Sequence, residues 1–153
     1  MNNKKEEKAL RVARALEDSF PQPRVELDYK NALELLVATV LAAQCTDVKV
    51  NEVTRDLFSK YHSAEDYVAV ALEDLEEDIR PTGFYRQKAK NIRATMQTLI
   101  QRYGGKVPQS MDDLTDLPGI GRKSANVILG NIYSVPGIVV DTHVGRVSRR
   151  LGL

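Results

Sequence analysis

Apolar positions recur at helical spacing along most of the chain. Over 4–18, Leu10, Val12, Ala13 and Leu16 alternate with charge, which predicts an amphipathic helix. Over 31–44 (NALELLVATVLAAQ) the residues are apolar on nearly every side, the pattern of a central buried helix. Thr46 is placed to cap a helix over 47–60 that buries Val50, Val53 and Leu57. Ser63 with Asp66 three residues on resembles a capping box, with Asp in place of Glu, opening a short helix. A further short helix fits 71–79, ahead of Pro81 and Gly83. Ala89, Ile92, Met96, Leu99 and Tyr103 mark one face of a helix over 85–103, stopped by Gly104 and Gly105. Ser110 caps a turn of helix through Leu114, and a helix follows from about Arg122 to Tyr133. Pro136 and Gly137 break it. The segment 137–140 (GIVV) is β-branched but too short to seed a sheet, and Asp141 is the N-cap of a last helix over 142–151. The pattern is all-α.

Composition adds limits. The 153 residues are 42% hydrophobic and 28% charged, ordinary for one folded domain or a domain with part of another. A single cysteine, Cys45, excludes an intrachain disulfide, and with two distant histidines, His62 and His143, it makes no zinc site. The charged N-terminus lacks an apolar signal core, and the longest apolar stretch, Leu35 to Ala43, is too short to span a bilayer. A cytoplasmic protein with no membrane partner is the expectation. Net charge is +1, but it is uneven. Residues 63–79 carry only acidic charges, whereas 119–153 carry Arg122, Lys123, Arg146, Arg149 and Arg150 against Asp141. A local basic surface of this kind collects phosphate. By charge alone, a solvated surface is the favoured reading.

The segment 117–125 (LPGIGRKSA) is more specific. It joins two helical patterns through a turn holding Pro118, Gly119 and Gly121. Glycine permits positive φ and lets backbone approach a ligand closely. The turn also leaves unpaired amides at the start of the helix from Arg122, and free amides with a positive helix end favour an anion. Such a hairpin suits a DNA phosphate without reading bases. No P-loop, Rossmann fingerprint or Ser–His–Asp order is present.

LPGIGRKSA followed by VDTHVGRV resembles the helix-hairpin-helix and catalytic segment of the endonuclease III family of DNA glycosylases. LAAQCTD (41–47) and TGFYRQKA (82–89) resemble the same family at the expected separations, so the likeness runs from the first helix to Leu153. It implies a base-excision repair enzyme acting on double-stranded DNA with a damaged base or an abasic site, and working as a monomer. Lys123 stands where the family keeps its nucleophilic lysine, whose amine attacks C1′, displaces an oxidised pyrimidine and cuts the strand by β-elimination through a Schiff base. An amine attacks only when neutral, a state that burial and a helix N-terminus both favour, and Lys123 is expected to have both. Asp141 matches the essential aspartate, which stabilises positive charge on the sugar; helix capping is its other role, and the two are compatible. Gln44 matches the residue that fills the gap left by a flipped nucleotide. Thr46 and Asp47 are implied for the base pocket, with helix capping as the plain alternative. Phe84 stands where a leucine wedge is common; it is either a wedge between bases or a core residue. Pro118, Gly119, Gly121 and Arg122 are implied for DNA binding. His143 is given no catalytic role.

The resemblance implies a six-helix lobe over 23–136 containing the hairpin 117–121. A second lobe is expected from 1–22 and 137–153, incomplete here, with the apolar faces of its two helices exposed. The ending RRLGL carries no polar tail and reads as cut. Full-length relatives are expected to hold a four-iron, four-sulfur cluster on four cysteines; none of those cysteines occurs in this chain, so no cofactor is expected in it. The alternatives are a non-catalytic helix-hairpin-helix DNA-binding module, which needs neither Lys123 nor Asp141 at those positions, and an inactive truncated fragment.

Overall fold

The computed structural model describes residues 2–153, with side chains from Lys4 onward. The described residues are helical with no strand. The α-helices are α1 (Asn2–Ser19), α2 (Ala32–Leu41), α3 (Asp47–Lys60), α4 (Ala64–Ala69), α5 (Leu72–Ile79), α6 (Tyr85–Tyr103), α7 (Met111–Thr115), α8 (Arg122–Ile132) and α9 (Thr142–Leu151), with a 3-10 turn at Arg80–Thr82. They divide between two compact units. One runs from Glu26 to Ile138; the other joins the N-terminal segment through Val25 to Val139–Leu153.

Side-chain caps set most helix starts. Asn31, Thr46, Ser63, Ser110 and Asp141 each accept a backbone N–H from the first turn of the helix that follows. The Ser63–Asp66 pair closes a full capping box. Each such cap contributes roughly 1 kcal/mol over alanine. Gly104, at φ +58°, ends α6.

The larger unit is built around α2. Every residue from Leu35 to Leu41 is buried, so the helix is enclosed on all sides by α3, α6 and α8. Ala89, Ile92, Met96 and Leu99 of α6 are fully buried, and α6 also packs on α4 and α5. A buried leucine or isoleucine stabilises by roughly 2 kcal/mol. All of the buried hydrophobic residues, Leu27 to Leu129, belong to this unit. It holds seven α-helical segments, among them the short Met111–Thr115 helix capped by Ser110.

One boundary differs from the sequence expectation. The helix read over 31–44 stops at Leu41. In a continuing helix the Leu41 carbonyl would accept from the Cys45 N–H. Instead it accepts from Lys88 Nζ (2.8 Å), and the Cys45 N–H turns back to Ala42 (3.2 Å). Gln44, on the turn that follows, is in a left-handed conformation, φ +52°.

Among its described residues the smaller unit has none that is buried: Leu10, Leu16 and Phe20 of its N-terminal part and Val144 and Val147 of α9 are exposed.

Candidate functional site

The hairpin between α7 and α8 is fastened from below. Leu117 and Ile120 are buried, the Ile120 N–H closes the turn on the Leu117 carbonyl (3.1 Å), and Thr95 of α6 donates its hydroxyl to the Pro118 carbonyl (2.8 Å). Gly119 sits at φ +79°, and a Cβ there would lie 2.8 Å from Asn91 Nδ2. Close approach and positive φ both require glycine. Gln87 Nε2 holds Asn91 Oδ1 at 2.9 Å, one turn nearer the start of α6.

Gly121 is the N-cap of α8 and has no side chain to close it. The first-turn amides of α8 therefore have neither a helical partner nor a capping oxygen, an end that favours an anion. Gly119, Gly121, Arg122 and Lys123 are exposed there, and Pro118 is half-buried. Lys123 occupies the second helical position. The burial expected of its side chain is not found, because α8 turns Ala125, Ile128 and Leu129 to the core and this position faces away.

Two further turns carry matched residues. Gln44 is exposed on the turn after α2. Phe84 is 68% exposed at φ +48°, ψ +27°, on the turn that opens α6. Its exposure removes the core alternative. Left-handed backbone at a glutamine and a phenylalanine is uncommon and costs on the order of 1–2 kcal/mol per residue. Thr46 is exposed and its hydroxyl accepts from the Lys49 N–H (3.3 Å), so capping is its visible role. Asp47 is half-buried at the start of α3.

Sequence reasoning missed Lys88. Its side chain is buried, and Nζ donates to the carbonyls of Leu41 and Thr82, 2.8 Å each. Burial pulls its ammonium below the usual lysine range, and the nearby Cys45 acts in the opposite sense. The available signal was its phase: position 88 lies four residues before Ile92 and eight before Met96, on the apolar face.

In the smaller unit Asp141 Oδ1 accepts the Val144 N–H (2.8 Å), as the N-cap expected of it. His143 is exposed, its Nδ1 3.1 Å from an Arg146 guanidinium nitrogen. A cleft of about 670 Å³ that includes Tyr29, Arg55, Phe58 and His62 contains none of the matched residues. No group of three or more His, Cys, Asp or Glu converges among the described residues, and the single cysteine of the sequence cannot supply a four-thiolate cluster. None of the described helices is long and apolar enough to cross a membrane.

Residues 37–153 match the model of the HhH-GPD superfamily of base excision DNA repair proteins, and the chain belongs to that family. It is 54% identical over 136 residues to endonuclease III of Bacillus subtilis (strain 168), an alignment that covers 89% of this chain and 62% of the relative. This chain thus spans less than two thirds of that protein. Among solved structures, a non-covalent endonuclease III–DNA complex superposes with a TM-score of 0.91 at 50% identity, covering 95% of this chain and 68% of that one. A trapped endonuclease III–DNA covalent intermediate with an estranged adenine gives 0.89 at 50% identity, over 95% and 69%.

Proposed function

We propose that this chain carries the DNA-engaging and catalytic segments of a bifunctional DNA glycosylase and abasic-site lyase, acting in the cytoplasm on duplex DNA with an oxidised pyrimidine. The observation that carries the reading is the exposed Lys123 amine one residue into a helix whose uncapped start is an anion seat. Phosphate bound by the α8 amides would bring the sugar of a neighbouring nucleotide toward that amine. The nitrogen lone pair then forms a bond to C1′ while the C1′–N bond to the base breaks and the base leaves with its electrons. Loss of a proton from nitrogen gives a closed-ring aminal, whose nitrogen lone pair then forms the C1′=N bond as the C1′–O4′ bond breaks and O4′ takes up a proton, giving the protonated Schiff base. Loss of the C2′ proton then expels the 3′ phosphate. Asp141 stabilises positive charge on the sugar through its carboxylate while holding the start of α9. Gln44 and Phe84 enter the stack as the nucleotide leaves, and Thr46 and Asp47 line the base pocket. The covalent DNA intermediate of the endonuclease III relative supports the same chemistry. The larger unit is then the lobe that presents the hairpin. Residues 1–153, with one cysteine, do not supply the four thiolates of the iron–sulfur cluster implied for full-length relatives.

The test is borohydride trapping on a duplex with one abasic site. A covalent complex is expected from the chain and not from Lys123→Ala. Asp141→Asn keeps a good N-cap, and trapping should fall. A complex that survives Lys123→Ala would exclude this lysine as the nucleophile. No complex from the unsubstituted chain, with duplex binding intact, would favour the binding-module reading.

A further inference from the structure

Gln44 and Phe84 are forty residues apart in sequence, on turns that belong to different helices. One buried nitrogen joins those turns. Lys88 Nζ donates to Leu41, the last residue of α2, and to Thr82, two residues before Phe84. The backbone N–H of Lys88 donates to the Phe84 carbonyl as well, at 3.0 Å. Lys88 therefore touches both sides of the Phe84 turn and the root of the Gln44 turn. The two carbonyls share a single cation with little freedom to move, because the side chain is enclosed. The ammonium occupies the Leu41 carbonyl just where the chain leaves the α-helical pattern, the Ala43 N–H having turned back to Val40 (3.4 Å) and the Cys45 N–H to Ala42 (3.2 Å). A charged donor to a backbone carbonyl is among the stronger hydrogen bonds, and the buried setting strengthens it further.

We propose that Lys88 is a positioning residue that locks the Gln44 and Phe84 turns to each other, so that both side chains enter a damaged duplex as one unit. It touches neither DNA nor the reacting atoms. The proposal rests on the reading above that Gln44 and Phe84 are inserted into the stack. Insertion of two side chains held in register avoids ordering two independent turns at the moment of binding. Phosphate capture at the hairpin does not pass through Lys88: the hairpin is fastened by Thr95, Leu117 and Ile120.

The experiment separates insertion from binding. The probe is a duplex with a tetrahydrofuran abasic analogue and 2-aminopurine opposite it, which fluoresces when unstacked and needs no chemistry. The unsubstituted chain should raise the fluorescence at saturation, and Gln44→Ala and Phe84→Ala should each lower that rise. Lys88→Met should lower it about fivefold or more, with the affinity for undamaged duplex, read by anisotropy, within about twofold. Lys88→Arg, which keeps several donors, should restore at least half of the amplitude. A role confined to fold stability would lower amplitude and binding together and would track the melting curve. If Lys88→Met does not melt cooperatively, Lys88→Gln, with a donor for one carbonyl, carries the comparison and should fall between. A full rise from Lys88→Met, with Gln44→Ala and Phe84→Ala impaired, would overturn this proposal alone. No rise from the unsubstituted chain, or no loss in the two turn variants, would remove the insertion reading and this proposal with it.

Discussion

Phe84 combines two features that stability alone does not select: a left-handed backbone and a large apolar side chain left 68% in water. Glycine at the same position would lose little buried area, would adopt φ +48° without a Cβ penalty and is a good helix N-cap. Against that stands the extra chain entropy of glycine in the unfolded state, about 0.5–1 kcal/mol. The relief of the left-handed conformation is of similar or larger size. Phe84→Gly is therefore expected to leave stability unchanged or to raise it by up to ~1 kcal/mol, measured by urea denaturation. Insertion into damaged DNA should be lost in the same variant. A loss of more than ~1 kcal/mol would mean that the phenyl ring is held by contacts that its exposure does not reveal. Strain kept at an exposed residue is what an inserting side chain requires: the backbone is set before DNA arrives.

At the scale of elements, α6 is the scaffold on which the Phe84 turn and the hairpin, proposed to engage DNA, are mounted. Its first turn carries Phe84 and Lys88, its second Asn91, its third Thr95, and the last two brace the hairpin. Gly119→Ala tests the brace. The new Cβ would meet Asn91 Nδ2 at 2.8 Å and Asn91 Cβ at 3.1 Å, at φ +79°. Asn91 can swing away only by giving up its bond to Gln87. A loss of roughly 1–2 kcal/mol is expected, with weaker binding of undamaged duplex at the freed hairpin; an unchanged urea midpoint would contradict it. Most of these elements were legible in the sequence because their determinants are local. Asn31, Thr46, Ser63, Ser110 and Asp141 cap within three residues of themselves, and the α6 stripe repeats within two turns. What was not legible is what comes from afar. The last carbonyl of α2 is taken by a lysine forty-seven residues downstream, and the left-handed Gln44 and Phe84 are neither glycine nor asparagine. The LPGIGRKSA hairpin was read correctly as a glycine turn opening an uncapped helix, whereas the exposure of Lys123 depends on which face α8 turns to the core.

Across the whole molecule, buried titratable groups set the response to alkaline pH. Tyr61 and Tyr67 are buried and Tyr133 half-buried; burial pushes each phenol above its usual range, with Asp78 adding to it at Tyr61 and Glu34 at Tyr67. A phenol neutral in the folded chain and ionised in the unfolded chain contributes stability that is complete below about pH 10 and is lost above it. At pH 11 the loss is about 1.4 kcal/mol for each phenol that stays neutral when folded. Lys88 acts in the opposite sense. Its folded ammonium releases its proton before the unfolded one, so stability rises between its lowered value and about pH 10.4 and is flat beyond. The two effects meet near pH 10. Stability should therefore climb gently on the alkaline side, reach a maximum near pH 10 and fall steeply above it. Lys88→Met should remove the rising limb, and Tyr61→Phe with Tyr67→Phe should shift the falling limb upward. Urea denaturation at half-unit intervals from pH 8 to about pH 11.5 reads both limbs. A curve that declines throughout would show that Lys88 stays charged in its carbonyl cradle, its two hydrogen bonds outweighing the cost of burial.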